Sequence, residues 1–119
     1  MQCFIVMPCL NEEVALVATC ASLGFGCGHQ AAPPDVRLIL VDNGSEDRTF
    51  AVMQNIQGRS PRNSVILASE PERGYVPPRH RGILVASELA ALENCPDDRV
   101  LIIQADADTD YQQGYVLAV

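Results

Sequence analysis

The sequence predicts an α/β fold, a parallel sheet with helices on both faces, and three observations carry that prediction. Four short runs are apolar at nearly every position, CFIVM at 3–7, RLILV at 37–41, VILA at 65–68 and VLII at 100–103, as strands covered on both faces must be. Helical spacing alternates with them, and the order β-α-β-α-β-α-β makes parallel pairs through right-handed crossovers. Polar residues gather just after the strands, where ligands sit in open parallel sheets: Asn11 and Glu12, Asp42 and Asn43, Glu70, Asp106 and Asp108.

Pro8 is expected to end the first strand. Asn11 is then expected to cap a helix with Glu12 and Glu13 in its first turn, the charge a helix N-terminus favours. Leu10, Val14, Val17, Ala18 and Ala21 share one face at helical spacing, and Gly24 supplies the stop. Residues 24–35 are rich in Gly, Ala and Pro and read as a surface loop. After the second strand, Ser45 is expected to cap a helix with Glu46 and Asp47 in its first turn. Phe50, Met53 and Ile56 form that helix's inner face, and Gly58 closes it. Pro77 and Pro78 set up a third helix through about Leu92, with Ile83, Ala86, Leu89 and Ala90 turned inward. A turn at Pro96, Asp97 and Asp98 leads into the fourth strand. The crossover rule orders the strands 3-2-1-4.

At 119 residues, 48% of them apolar, the chain has material for one domain and one core. Fifteen acidic residues against eight basic ones, all arginine, leave a formal charge of −7. Such a surface repels phosphate backbones and anionic lipid, so nucleic acid and membrane surfaces are disfavoured partners. An anionic ligand needs local neutralisation, for which a divalent metal is the obvious agent. No apolar stretch is long enough to span a bilayer, and the N-terminus lacks the basic lead of a signal peptide. Cys3, Cys9, Cys20, Cys27 and Cys95 are odd in number and show no C-x-x-C spacing. A zinc site therefore has little support, despite the nearness of Cys27 and His29, and Cys3, Cys9 and Cys20 read as small buried hydrophobes. A reduced, cytoplasmic protein is expected, with a parent protein at the inner face of the membrane as the alternative.

Asp106 and Asp108 place two carboxylates one residue apart in the loop after a strand. They can close on one hard cation and leave its other positions to diphosphate oxygens. Taken alone, the pair is equally a solvated turn that includes Asp110. Three further segments change its weight. Pro8, Asn11, Glu12 and Glu13 follow the pattern P-x-x-N-E-E, residues 41–49 read VDNGSEDRT, residues 74–82 read GYVPPRHRG and residues 105–109 read ADADT. In this order, each at a strand or helix boundary, they resemble segments of the family-2 glycosyltransferases: P-x-x-N-E-E, V-D-D-G-S-x-D-x-T, G-x-x-x-A-R-N-x-G and D-A-D-T. The resemblance covers essentially the whole chain.

What the resemblance implies is a Rossmann-like GT-A nucleotide-diphospho-sugar transferase fold. Residues 1–119 would be its N-terminal nucleotide-sugar-binding part. Pro8, Asn11 and Glu12 would line the nucleotide pocket with Asp42 and Asn43, the latter standing where the family commonly has an aspartate against the base. An amide can both accept and donate, so base identity stays open. Arg79 would face the base or the diphosphate, Asp106 the ribose and the metal, and Asp108 would be the principal ligand of Mg2+ or Mn2+. Three basic groups at a helix start, Arg79, His80 and Arg81, oppose the helix dipole and favour an anion nearby. His80 stands where the family has Asn and Pro78 where it has Ala. Ser45 and Asp47 are accounted for by capping.

Inverting transfer also needs a carboxylate to deprotonate the acceptor hydroxyl. The resemblance places that general base, with the acceptor-binding half, beyond residue 119, so the chain is expected to be truncated and inactive in transfer by itself. Strand edges left uncovered would favour homo-oligomers. The partners implied are a nucleotide-diphosphate sugar and an unknown acceptor. A haloacid-dehalogenase-type phosphohydrolase fails twice, because Asp110 stands where its motif needs threonine and the motif follows the fourth strand, not the first. A non-catalytic nucleotide-binding or interaction module is the remaining alternative.

Overall fold

The computed structural model describes residues 2–26, 31–108 and 111. Strands β1 (Gln2–Cys9), β2 (Val36–Asp42), β3 (Val65–Ser69) and β4 (Val100–Gln104) alternate with helices α1 (Leu16–Ser22), α2 (Thr49–Gly58) and α3 (Val76–Leu92), and one 3-10 turn (Asp97–Arg99) leads into β4. All pairs are parallel and the order is β3-β2-β1-β4, as the crossover rule requires. Alternation along the strands divides the core into two layers. Ile5, Met7, Leu38 and Leu40 meet Leu16 and Cys20 of α1 and Met53 and Ile56 of α2 on one face. Phe4, Val6, Ile39 and Val41 meet Ala86 and Ala90 of α3 on the other.

The buried stripe of α3 is Pro78, Gly82, Ala86 and Ala90, small or compact residues four apart that bring the helix axis close to the sheet. Ile83 and Leu89, expected inside, flank that stripe and are half-buried. Cys3, Cys9 and Cys20 are buried, as expected, and burial pushes the Cys20 thiol up to about 12. The pair Cys27 and His29 lies outside the described residues.

Three expectations are corrected. Pro8 lies inside β1, which runs on to Cys9. Val6 O accepts from Ala105 N at 3.0 Å, so alternate residues of β1, Pro8 among them, turn their backbone polar groups toward β4. Pairing with β4 stops at the Val6–Gln104 register, so the N–H that proline lacks would have had no ladder partner.

α1 begins at Leu16 rather than after Asn11, and Asn11 is not its cap. Asn11 has φ 53°, and its Oδ1 accepts the Glu46 N–H at 2.8 Å from the loop after β2. The buried face differs too: Leu16, Thr19 and Cys20 are buried, while Leu10 and Val17 are exposed and Val14 is 94% exposed. Two residues of phase are about 200° of rotation, which exchanges an inner for an outer face.

α2 likewise starts at Thr49, four residues after Ser45, and Thr49, Met53 and Ile56 are its buried face while Phe50 is exposed. Ser45 and Asp47 are structural, as expected, but in another way. Asp47 Oδ1 takes the Thr49 N–H at 2.9 Å, and Ser45 Oγ takes the Asn11 N–H at 3.0 Å.

Candidate functional site

The loops after β1 and β2 are welded together before any ligand is considered. Glu12 N donates to Thr49 Oγ1 at 2.8 Å and Glu13 N to Asp47 Oδ2 at 3.4 Å, beside the two Asn11–Ser45–Glu46 bonds. These links hold the polypeptide after β1 open, with its N–H groups satisfied by side chains of the neighbouring loop. The Thr49 hydroxyl also donates to Asp47 Oδ1 and, with it, holds the Asp47 carboxyl below its ordinary value.

Beside this weld, at the carboxyl ends of the strands, lies a cavity of about 280 Å³. Pro8, Cys9, Leu10 and Glu12 form one wall, Asn43, Gly74, Pro78 and Arg79 a second, and Asp106, Ala107 and Asp108 a third. Pro8, Glu12, Asn43, Arg79, Asp106 and Asp108 were all singled out by the sequence, and the topology brings the six together from four separate segments. Asn11 and Asp42 do not line it: Asn11 belongs to the weld, and Asp42 Oδ1 accepts the Ser45 N–H at 3.2 Å. Two hollows at the opposite end of the strands are larger, about 370 and 620 Å³, but share the closed ion pair of Arg37 with Glu93 at 2.7 Å.

Asn43 is 3% exposed, and its amide nitrogen donates to Glu70 O at 2.7 Å and Glu72 O at 2.8 Å. Both donors therefore tie down the loop from β3 to α3, and the carbonyl oxygen is what Asn43 retains for a ligand. The same loop is held by Glu70 N to Asp42 O at 2.9 Å and by Arg73 Nη2 to Gly44 O at 2.5 Å. Arg73 also meets Glu46 at 3.2 Å and Arg81 meets Glu70 at 3.4 Å, so two of the basic side chains near the cavity face carboxylates outside its walls.

Arg79 lies on the wall itself. Its Nη1 donates to Tyr75 O at 2.8 Å, its Cζ sits 3.7 Å from the Tyr75 ring centroid, and its Nη2 lies 3.6 Å from Asp106 Oδ1. Asp106 is positioned from behind, because its N–H donates at 2.8 Å to the hydroxyl of Tyr111, whose own N–H donates to Ser22 Oγ at 2.9 Å. Tyr75 and Tyr111 were missed by sequence reasoning; a lone aromatic in a loop carries no spacing signal. Thr109 and Asp110 lie outside the described residues.

Burial, then the charge of Asp108, then that of Asp47 push the Glu12 carboxyl above its ordinary value. Its raised value makes Glu12 favour the fold when protonated, a contribution lost as pH rises through the folded-state titration. Glu12→Gln should therefore melt above the parent at neutral pH, with the gap closing below the ordinary carboxylate range. In the parent, Asp108→Asn should move the Glu12 side-chain carbon titration downward by NMR; an unmoved titration would mean the two carboxylates do not share the cavity.

Among the described residues, no group of three or more His, Cys, Asp or Glu is arranged to hold a metal. The cavity offers Asp106, whose side chain is 68% exposed, and Asp108, also exposed. Two carboxylate oxygens suit a hard divalent cation that keeps most of its positions for water and phosphate oxygens, and do not suit a closed zinc site. No helix among the described residues is long and apolar enough to cross a membrane.

The family model for glycosyl transferase family 2 matches residues 4–114. Uncharacterised glycosyltransferases of Mycobacterium tuberculosis and Mycobacterium bovis are each 34% identical over 83 residues, 70% of this chain and 31% of theirs. The crystal structure of residues 1–349 of TarS from S. aureus superposes with a TM-score of 0.68 at 15% identity, over 99% of this chain and 31% of that one. The chain thus spans about a third of the length of the relatives it matches. With the family model spanning nearly all of it, the chain belongs to glycosyl transferase family 2.

Proposed function

We propose that this chain is the nucleotide-sugar-binding part of a glycosyltransferase, holding a nucleotide-diphosphate sugar through Mg2+ or Mn2+ for transfer to an acceptor that binds elsewhere in the protein. One observation carries the reading: six residues from four segments, marked by their strand-end position or by the family resemblance, line a single cavity at the carboxyl ends of the strands. When bound, the cation offsets negative charge on the leaving diphosphate. The chain's own residues do the rest of the binding. Pro8 and Glu12 bound the base and ribose region, and the Asn43 carbonyl accepts from a base N–H. The Arg79 guanidinium takes phosphate oxygens, and Asp106 and Asp108 present the anionic oxygens the cation requires. No group in the cavity is assigned to deprotonate an acceptor, so donor binding without sugar transfer is expected of the isolated chain.

Calorimetric titration with a panel of nucleoside diphosphates tests the reading. Affinity should fall by about tenfold or more, roughly 1.4 kcal/mol, when the divalent ion is chelated. Asp108→Asn should abolish most of that metal effect, and Asp110→Asn should leave it nearly intact. Equal affinity with and without chelator would overturn the assignment.

A further inference from the structure

Arg79 is the one cation on the cavity wall among the described residues, and its placement has a consequence for the order of binding. It is not a loose surface side chain. The side chain is 18% exposed, one nitrogen is held by Tyr75 O at 2.8 Å, and the Tyr75 ring covers one face of the guanidinium at 3.7 Å. Its ion-pair partner is also anchored. Ala105 N is bonded to Val6 O at 3.0 Å and Asp106 N to the Tyr111 hydroxyl at 2.8 Å. The 3.6 Å approach of Arg79 Nη2 to Asp106 Oδ1 thus joins a held guanidinium to an exposed carboxylate carried on a fixed backbone.

From this geometry we infer that Arg79 acts as a resident counter-cation for Asp106, a positioning residue that opposes metal binding in the empty cavity and favours it once a diphosphate is present. This rests on the reading of Asp106 and Asp108 given above. A divalent ion arriving alone meets a unit positive charge beside one of its two carboxylates, and one carboxylate oxygen already faces a guanidinium. A diphosphate removes both obstacles, because its oxygens offer the guanidinium a stronger partner and add negative charge next to the ion. Metal and diphosphate therefore help one another through Arg79, and by linkage each raises the affinity of the other by the same factor.

The experiment measures Mn2+ binding to the 119-residue chain by electron paramagnetic resonance, with inorganic pyrophosphate as the anion because it carries no base. In Arg79→Gln, Mn2+ alone should bind about three- to tenfold more tightly, since a like charge at a partly exposed site is removed. Pyrophosphate at saturating Mn2+ should bind more weakly by a similar factor. These opposite signs cannot come from a general loosening of the site, which weakens both. Arg79→Lys keeps the charge and should return Mn2+ affinity to near that of the parent. Equal or weaker Mn2+ binding in Arg79→Gln, or a lysine variant that behaves like the glutamine one, would overturn the inference alone. Failure of Mn2+ to bind parent and variant alike would overturn the metal site and the inference together. On the unsubstituted protein, the Arg79 side-chain NMR signals should move when Mg2+ is added alone. Mg2+ binding at the Asp106 and Asp108 amides without such movement would refute the pairing even if Arg79→Gln does not fold.

Discussion

Gly82→Ala is expected to destabilise the protein by about 2–3 kcal/mol, although the same change at most helical positions stabilises. A Cβ built at Gly82 would lie 2.2 Å from Val6 Cγ1, inside any real contact, and Val6 is fully buried on the central strand. Turning the valine does not relieve the contact, because its Cβ and Cγ2 would each lie at 3.2 Å as well, so α3 itself must shift from β1 and reopen a layer that includes Phe4, Ile39 and Ala86. Gly58 is the control, because a Cβ there meets nothing within 4 Å. Gly58→Ala should be neutral or stabilising by up to about 1 kcal/mol. Thermal melts should fall by roughly 10 °C for Gly82→Ala and hold or rise for Gly58→Ala. An unchanged melt for Gly82→Ala would mean that α3 does not approach β1 this closely.

Asn43→Asp is expected to be comparably damaging, by about 2–4 kcal/mol at neutral pH, despite being nearly isosteric. The amide donates two hydrogen bonds, to Glu70 O and Glu72 O, and a carboxylate in its place donates none. It would instead set a buried negative charge against two carbonyl oxygens. The sign with pH follows from linkage. Burial raises the new group's folded-state value above its unfolded one, so the penalty is small below the unfolded titration and grows as pH rises through the folded one. Melts of parent and variant should therefore converge in acid and diverge toward neutrality. A constant gap across that range would contradict the clasp. Donor-side affinity should also fall, because the loop that Asn43 ties down carries Gly74 and leads into the first turn of α3, which bears Pro78 and Arg79.

The two tests probe features of different legibility. That a glycine was needed at 82 could not be read from the chain, since only the packing of α3 on Val6 creates the demand. Asn43 was legible as a site residue, but its partners were not. Its donors bond carbonyls 27 and 29 residues away, and an amide's contacts depend on what the fold brings to it. Asn11, Ser45 and Asp47 make the same point. Each has the residue type of a helix cap, and local reasoning assigned them that role. In the structure their side chains accept backbone N–H groups of a neighbouring loop or turn, which moves the starts of both helices, while the phase of the buried face changes only in α1.

The sequence by itself determined the element order, the parallel sheet, its strand order and the end at which chemistry is concentrated. Those depend on periodicity and on a chirality rule, which act along the chain and survive small errors in boundary. It also marked Glu12, Asn43, Asp106 and Asp108 as polar residues after buried strands, and the family resemblance added Pro8 and Arg79. Only the tertiary structure decided where α1 and α2 start, the inner face of α1, the Arg79–Asp106 pair and the support that Tyr111 gives to Asp106. These are choices among partners of nearly equal local energy, a cap against a cross-loop bond or solvent against an ion pair. Such choices are settled by which groups the packed sheet brings within hydrogen-bonding distance.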